Sequence, residues 1–184
     1  MDFQSCNVRV YAASFLCLFL YFPSQMEATF KNPGELISDI CKQSGSDKKF
    51  CIQILKSNPQ TATASSLKSL AEIALGMARK ESVSTSGFFK SLLVRDSNNP
   101  AAKASIEECA KYFSEAVGML NLGGLEGGTA SLDVHYALDN AQYCENALAN
   151  ANVHIGSIGP AIQEWKKSYS VAYAAVIAVE NSQN

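Results

Sequence analysis

Neither sign of charge dominates this chain. Lysine and arginine number 15, aspartate and glutamate 17, and the formal net charge is −2. A nucleic-acid-binding domain needs a basic field, and none is present. No run of cations addresses anionic lipid either. Histidine is scarce, with 2 residues in 184. His135 and His154 lie far in sequence from the cysteines, and no C-x-x-C spacing occurs, so the close-set ligands of a zinc site are missing. Both histidines are expected on the surface, with no metal and no cofactor. There is no G-x-S-x-G elbow and no H-E-x-x-H. The glycines at 123–128 have neither a strand before them nor a lysine after them, so they read as a linker and not as a phosphate loop. Glu107 and Glu108 are adjacent, so on a helix they diverge and cannot share a proton. No asparagine stands in an N-x-[ST] sequon, and no N-linked glycan is expected. Period-two alternation is absent too, which argues against any sheet. Together these absences point away from catalysis and towards binding.

Long apolar runs are equally rare. One spans residues 8–22, VRVYAASFLCLFLYF, with Arg9 near its start. It falls short of the roughly 20 residues that span a bilayer and has the length of a secretory leader core. Pro23 and Ser24 end it. Cleavage near Ala28 is expected, giving a signal peptide over 1–28 and one domain over 29–184 with no membrane attachment after removal. Cys6 and Cys17 would leave with the leader. About 156 residues then remain, enough for a single core.

The four other cysteines are the most informative residues present. An even set in a secreted chain reads as two disulfides. Four cysteines permit three pairings, and the helical pattern chooses among them. Pro33 opens a short helix with Ile37, Ile40 and Cys41 on one side. After a break at Gly45, Phe50, Cys51, Ile54 and Leu55 repeat at helical spacing until Pro59. A hairpin of these two helices, over 33–57, sets Cys41 beside Cys51, within the roughly 7 Å between Cα atoms that a bridge requires.

A long helix is expected next, capped by Thr61 or Thr63 and running to about Arg95. Leu67, Leu70, Ile73, Ala74 and Met77 form its stripe, and the polar ESVSTSG segment weakens it, with Gly87 as the place for a bend. A turn at 96–100 places Pro100 as a first helical residue. Ala102, Ile106, Cys109, Phe113, Ala116 and Leu120 then alternate by four and three, as do Ala137, Ala141, Cys144 and Leu148 beyond the glycines. Cys109 and Cys144 both lie on core stripes and can bridge antiparallel neighbours. A last helix carries Ile158, Ile162, Trp165, Tyr169, Ala172 and Val176 inward, with Glu164, Lys166 and Lys167 on its solvated side. The expected fold is all-α: a helical hairpin followed by an up-down-up-down four-helix bundle over 61–180, held by two disulfides. In the chain-entropy model each closure contributes roughly 3 to 4 kcal/mol, the second more than the first.

The cysteine pair in a hairpin and the second pair across a bundle resemble the plant invertase/pectin methylesterase inhibitor family. The residues carrying the likeness are Ile40 with Cys41, Phe50 with Cys51, IEECAKYFSEAV around Cys109, and YALDNAQYCENAL around Cys144, across roughly residues 33–180. The resemblance implies no catalysis. It implies a secreted cell-wall protein that binds a pectin methylesterase or an acid invertase one-to-one and blocks its cleft. Two departures stand out. Tyr143 precedes Cys144 where the family commonly has threonine, and the Pro-Lys-Phe motif common among invertase inhibitors is absent. The first departure falls near the surface the family uses against the esterase and counts against that target; the missing motif counts against the invertase and makes the esterase the favoured target, with the invertase as alternative and a secreted helical protein without inhibitory target as the third reading. A bundle carrier with an internal cavity is disfavoured by Ala74, Ala102, Ala116, Ala137, Ala141 and Ala172, which let helices approach closely.

Asp133, Tyr136, Asn140 and Tyr143 follow one another at intervals of three, four and three. This places them along one edge of the third bundle helix. Tyrosine offers apolar area and a hydroxyl together, which suits a protein interface. The four are the candidate partner-binding residues; the alternative is that Tyr136 and Tyr143 cover the seam with a neighbouring helix.

Overall fold

The computed structural model describes residues 31–95 and 100–183. The expected leader over 1–28 and the turn at 96–99 lie outside the described residues. Six α-helices and no strands are found among those described. α1 (Pro33–Cys41) begins with a capping box: Asn32 accepts from the Glu35 backbone N–H while Glu35 accepts from Asn32. A single 3-10 turn leads to α2 (Lys48–Ser57), and the Cys41 and Cys51 Cα atoms lie 5.6 Å apart across their disulfide.

The long third helix starts later than the sequence indicates. Residues 59–63 form a 3-10 turn, and buried Thr61 turns its hydroxyl back onto the carbonyls of Leu55 and Asn58, both at 2.7 Å. Thr61 thus closes the end of the hairpin and caps nothing. The cap belongs to Ser66, whose Oγ accepts from the Ser69 N–H, and α3 runs Leu67–Arg95. α4 (Pro100–Met119), α5 (Ala130–Asn150) and α6 (Ile158–Asn181) complete a ring in which α3 meets α4, α4 meets α5, α5 meets α6, and α6 returns to α3. Paired residues run in opposite senses along three successive seams: Ser86 with Ala110 and Arg79 with Leu120, Asn140 with Tyr112 and Cys144 with Cys109, Ser131 with Glu180 and Glu145 with Lys166. The bundle is therefore up-down-up-down.

On α3 the expected stripe is rotated, with Leu67, Ile73 and Met77 only half-buried while Ala71, Leu75 and Ala78 join Leu70 and Ala74 inside; elsewhere burial follows the apolar stripes, with two differences. The C-terminal half of α6 buries Val171, Ala174, Ala175, Ala178 and Val179 besides the expected stripe, because α1 covers its outer side. α2 reaches the same helix, where the Lys167 ammonium stands 5.9 Å from the Phe50 ring centre. The second difference concerns ESVSTSG. That segment does not interrupt the core but enters it, since Ser82, Thr85 and Ser86 are all buried. Ser82 donates to the Ala78 carbonyl at 2.9 Å and accepts from the Trp165 indole N–H at 2.7 Å. Ser86 donates to the Ala110 carbonyl at 2.7 Å. A buried tryptophan needs such an acceptor. Phe89, Phe113, Trp165, Tyr169 and Tyr173 continue from this point as a chain of ring contacts with centroids 5.2–5.8 Å apart.

Candidate partner-binding face

α5 is anchored at its start and in its C-terminal half by other parts of the chain. The linker before it is folded: Gly124 and Gly128 take φ of 74° and 68°, a left-handed conformation that favours glycine, and between them Leu125 is buried. Thr129 provides no side-chain cap. Instead, a carboxylate oxygen of Glu180, on α6, accepts from the Ser131 N–H at 2.9 Å. A carboxylate there also opposes the positive end of the helix dipole, as Asp133 does in the first turn. Further along, the Cys109–Cys144 disulfide ties α5 to α4 with a Cα separation of 4.6 Å. On the opposite side Lys166 binds both carboxylate oxygens of Glu145 at 2.8 and 2.7 Å, tying α5 to α6.

The four residues singled out in sequence divide on this scaffold. Tyr136 and Tyr143 are 47% and 52% exposed. Asp133 is half-buried near the helix start. Asn140 is only 6% exposed, and its amide donates to the Tyr112 carbonyl at 3.2 Å and contacts the Met119 sulfur at 3.6 Å. Asn140 is thus not offered to a partner. The expected edge of α5 turns at that point under α4, and an amide buried there must satisfy a neighbouring backbone group. Tyr143 rests against Tyr112 of α4, with ring centroids 5.8 Å apart. Its ring partly covers the α4–α5 seam while half of it remains accessible.

Two residues extend the face beyond the sequence selection. Leu132 is 51% exposed and precedes Tyr136 by four positions. Asp139 follows Tyr136 by three and precedes Tyr143 by four. Residues three and four apart on a helix are surface neighbours, so Leu132, Tyr136, Asp139 and Tyr143 form one line. The same spacing in the sequence could have identified them. His135 and His154 are both exposed, and the His135 ring lies 6.0 Å from that of Tyr173.

Away from this face, a groove of about 980 Å³ runs between the hairpin end, α3 and α6, lined in part by Ile54, Ile73, Met77, Glu81 and Glu164. Burial holds the Glu81 carboxyl above the ordinary glutamate range, Glu164 raises it further, and Lys80 opposes them. Among the described residues no cluster of three or more His, Cys, Asp or Glu can hold a metal ion, and no helix is long and apolar enough to cross a membrane.

A braced helical bundle with aromatic side chains displayed on a helix held by a disulfide and an ion pair has the build of a protein-binding module. The family profile described as plant invertase/pectin methylesterase inhibitor matches residues 35–175. The chain belongs to that family, whose members are inhibitor proteins and not enzymes. No curated protein matches it.

Proposed function

We propose that the chain is a secreted inhibitor of a pectin methylesterase, which it binds one-to-one, obstructing the catalytic cleft with the outer face of α5. The observation that carries this reading is the half-exposure of Tyr136 and Tyr143 on a helix fixed by a disulfide, a buried amide and an ion pair. Such a face is preorganised, so little ordering entropy opposes association. Family membership supports inhibition of an esterase or an invertase. The missing Pro-Lys-Phe motif favours the esterase. The apolar run at 8–22 supports export by a leader removed near Ala28. The test is titration of the purified, oxidised protein into a plant pectin methylesterase and into an acid invertase, with residual activity recorded. Loss of esterase activity at equimolar protein is expected. Loss of invertase activity alone would replace the target, and full activity of both enzymes would remove the inhibitor reading.

A further inference from the structure

α5 carries Asp133, Asp139 and Glu145 and contains no lysine or arginine. Glu145 is neutralised by Lys166. Among the described residues no lysine or arginine pairs with Asp133 or Asp139. Within α5 the exposed line Leu132, Tyr136 and Tyr143 therefore has carboxylates and no cation beside it, with Asp139 between the two tyrosines, and across the seam on α4 the neighbouring Lys111 is paired with Glu115. The opposite corner of the bundle has the reverse balance: α3 carries Lys68, Arg79, Lys80 and Lys90 against Glu72 and Glu81. The near-zero net charge of the whole chain conceals this polarity.

The chemistry of the proposed target indicates what such a face meets. Hydrolysis of a pectin methyl ester releases methanol and leaves a carboxylate on the sugar. The cleft must therefore hold a polymer that grows anionic as it is processed, which calls for cationic side chains along its walls. The substrate of an invertase, sucrose, is neutral and sets no such demand. Resting on the esterase reading above, we propose that the Leu132–Tyr136–Asp139–Tyr143 line, with Asp133 at its N-terminal end, docks against the cationic wall of the esterase cleft. The carboxylates of α5 then occupy the electrostatic place of de-esterified pectin. Asp133 and Asp139 steer the encounter, while Leu132 and the tyrosines supply the apolar contact area.

The test measures the association rate between the purified protein and a plant pectin methylesterase from about 20 to about 300 mM sodium chloride, a range over which the screening length falls severalfold. The rate of the unaltered protein should fall at least about tenfold across this range. Asp133→Asn with Asp139→Asn should lower the low-salt rate about tenfold and flatten the salt dependence. Asp139→Asn alone, which leaves the first turn of α5 untouched, should give an intermediate result, and circular dichroism verifies the fold of each variant. Lys80→Gln with Lys90→Gln, at the opposite corner, should change neither rate nor slope. Added oligogalacturonate should slow association of the unaltered protein. Tight binding with no salt dependence, or a double aspartate variant that behaves like the parent, overturns this inference and leaves the inhibitor reading intact. Absence of binding at every salt concentration overturns both.

Discussion

α3 and α5 stand at opposite corners of the bundle and break simple binary patterning in opposite directions. α3 turns hydroxyls inward: Ser82, Thr85 and Ser86 are buried where aliphatic residues would be expected. α5 turns apolar side chains outward at Leu132, Tyr136 and Tyr143. Two of the three inward exceptions have internal partners. Ser82 satisfies the Trp165 indole and Ser86 a carbonyl of α4, so the polar atoms set how α3, α4 and α6 fit together. Thr85 Oγ1 has no such partner, and nothing in the structure explains its choice. The outward exceptions on α5 gain little from folding, because half of each side chain stays in water. A polar atom inside is explained by what it bonds within the fold; an apolar one outside is best explained by what it will meet.

The contrast can be broken first on the inner side. Trp165→Ala should cost about 3–5 kcal/mol, read from urea unfolding followed by circular dichroism, because it empties the centre of the ring chain and strands Ser82. A loss below about 1 kcal/mol would mean the indole is not the keystone its burial indicates. On the outer side, Tyr136→Ala with Tyr143→Ala should weaken esterase inhibition by roughly 2 kcal/mol or more, about thirtyfold in the inhibition constant. The same pair should lower folding stability by less than about 1 kcal/mol. Equal losses in both measurements would make the tyrosines seam covers and not contacts.

Returning to α3, Ser82→Ala should cost about 1–3 kcal/mol because the indole N–H loses its acceptor. In a Trp165→Phe background the same substitution should cost distinctly less, so a double-mutant cycle isolates the bond. The smallest effect belongs to Glu81. Its carboxyl is held above the ordinary range in the folded protein, first by burial and then by Glu164. The folded state therefore binds this proton more tightly than the unfolded chain does, and the ionised group opposes folding at neutral pH. Glu81→Gln should raise the melting temperature slightly at pH 7, and the gain should vanish at acid pH, below the ordinary glutamate range, where the parent side chain is protonated in both states. A gain that persists in acid would show that the charge is not its cause.

Much of this architecture was legible because its signals are local. The four-and-three alternation through Cys109 and through Cys144 gave both the helices and the faces that meet, so the bridge could be inferred before any contact was visible. Pro33, Pro59 and Pro100 marked boundaries by their missing N–H and restricted backbone. Other features were illegible because their partners lie far along the chain. ESVSTSG read as weak helix, since nothing near Ser82 announces a tryptophan 83 positions later. Thr61 looked like a cap because threonine commonly caps, yet its burial at the hairpin end gave it Leu55 and Asn58 instead. Asn140 looked exposed because helical spacing locates an edge without saying which neighbour lies over it. Leu132 and Asp139 were missed although their spacing was in view.

The sequence by itself determined the helical class, the register of the core stripes on α4, α5 and α6, the cysteine pairing and the family, because each depends on residue identity at short, regular intervals. Tertiary structure alone decided which polar groups go inside, that Glu180 caps a helix beginning 50 residues before it, and that the tyrosines of α5 stay accessible while Asn140 does not. The physical reason is that hydrogen bonding and exposure are settled by whichever group arrives from elsewhere, and packing brings it there from positions that no local pattern encodes.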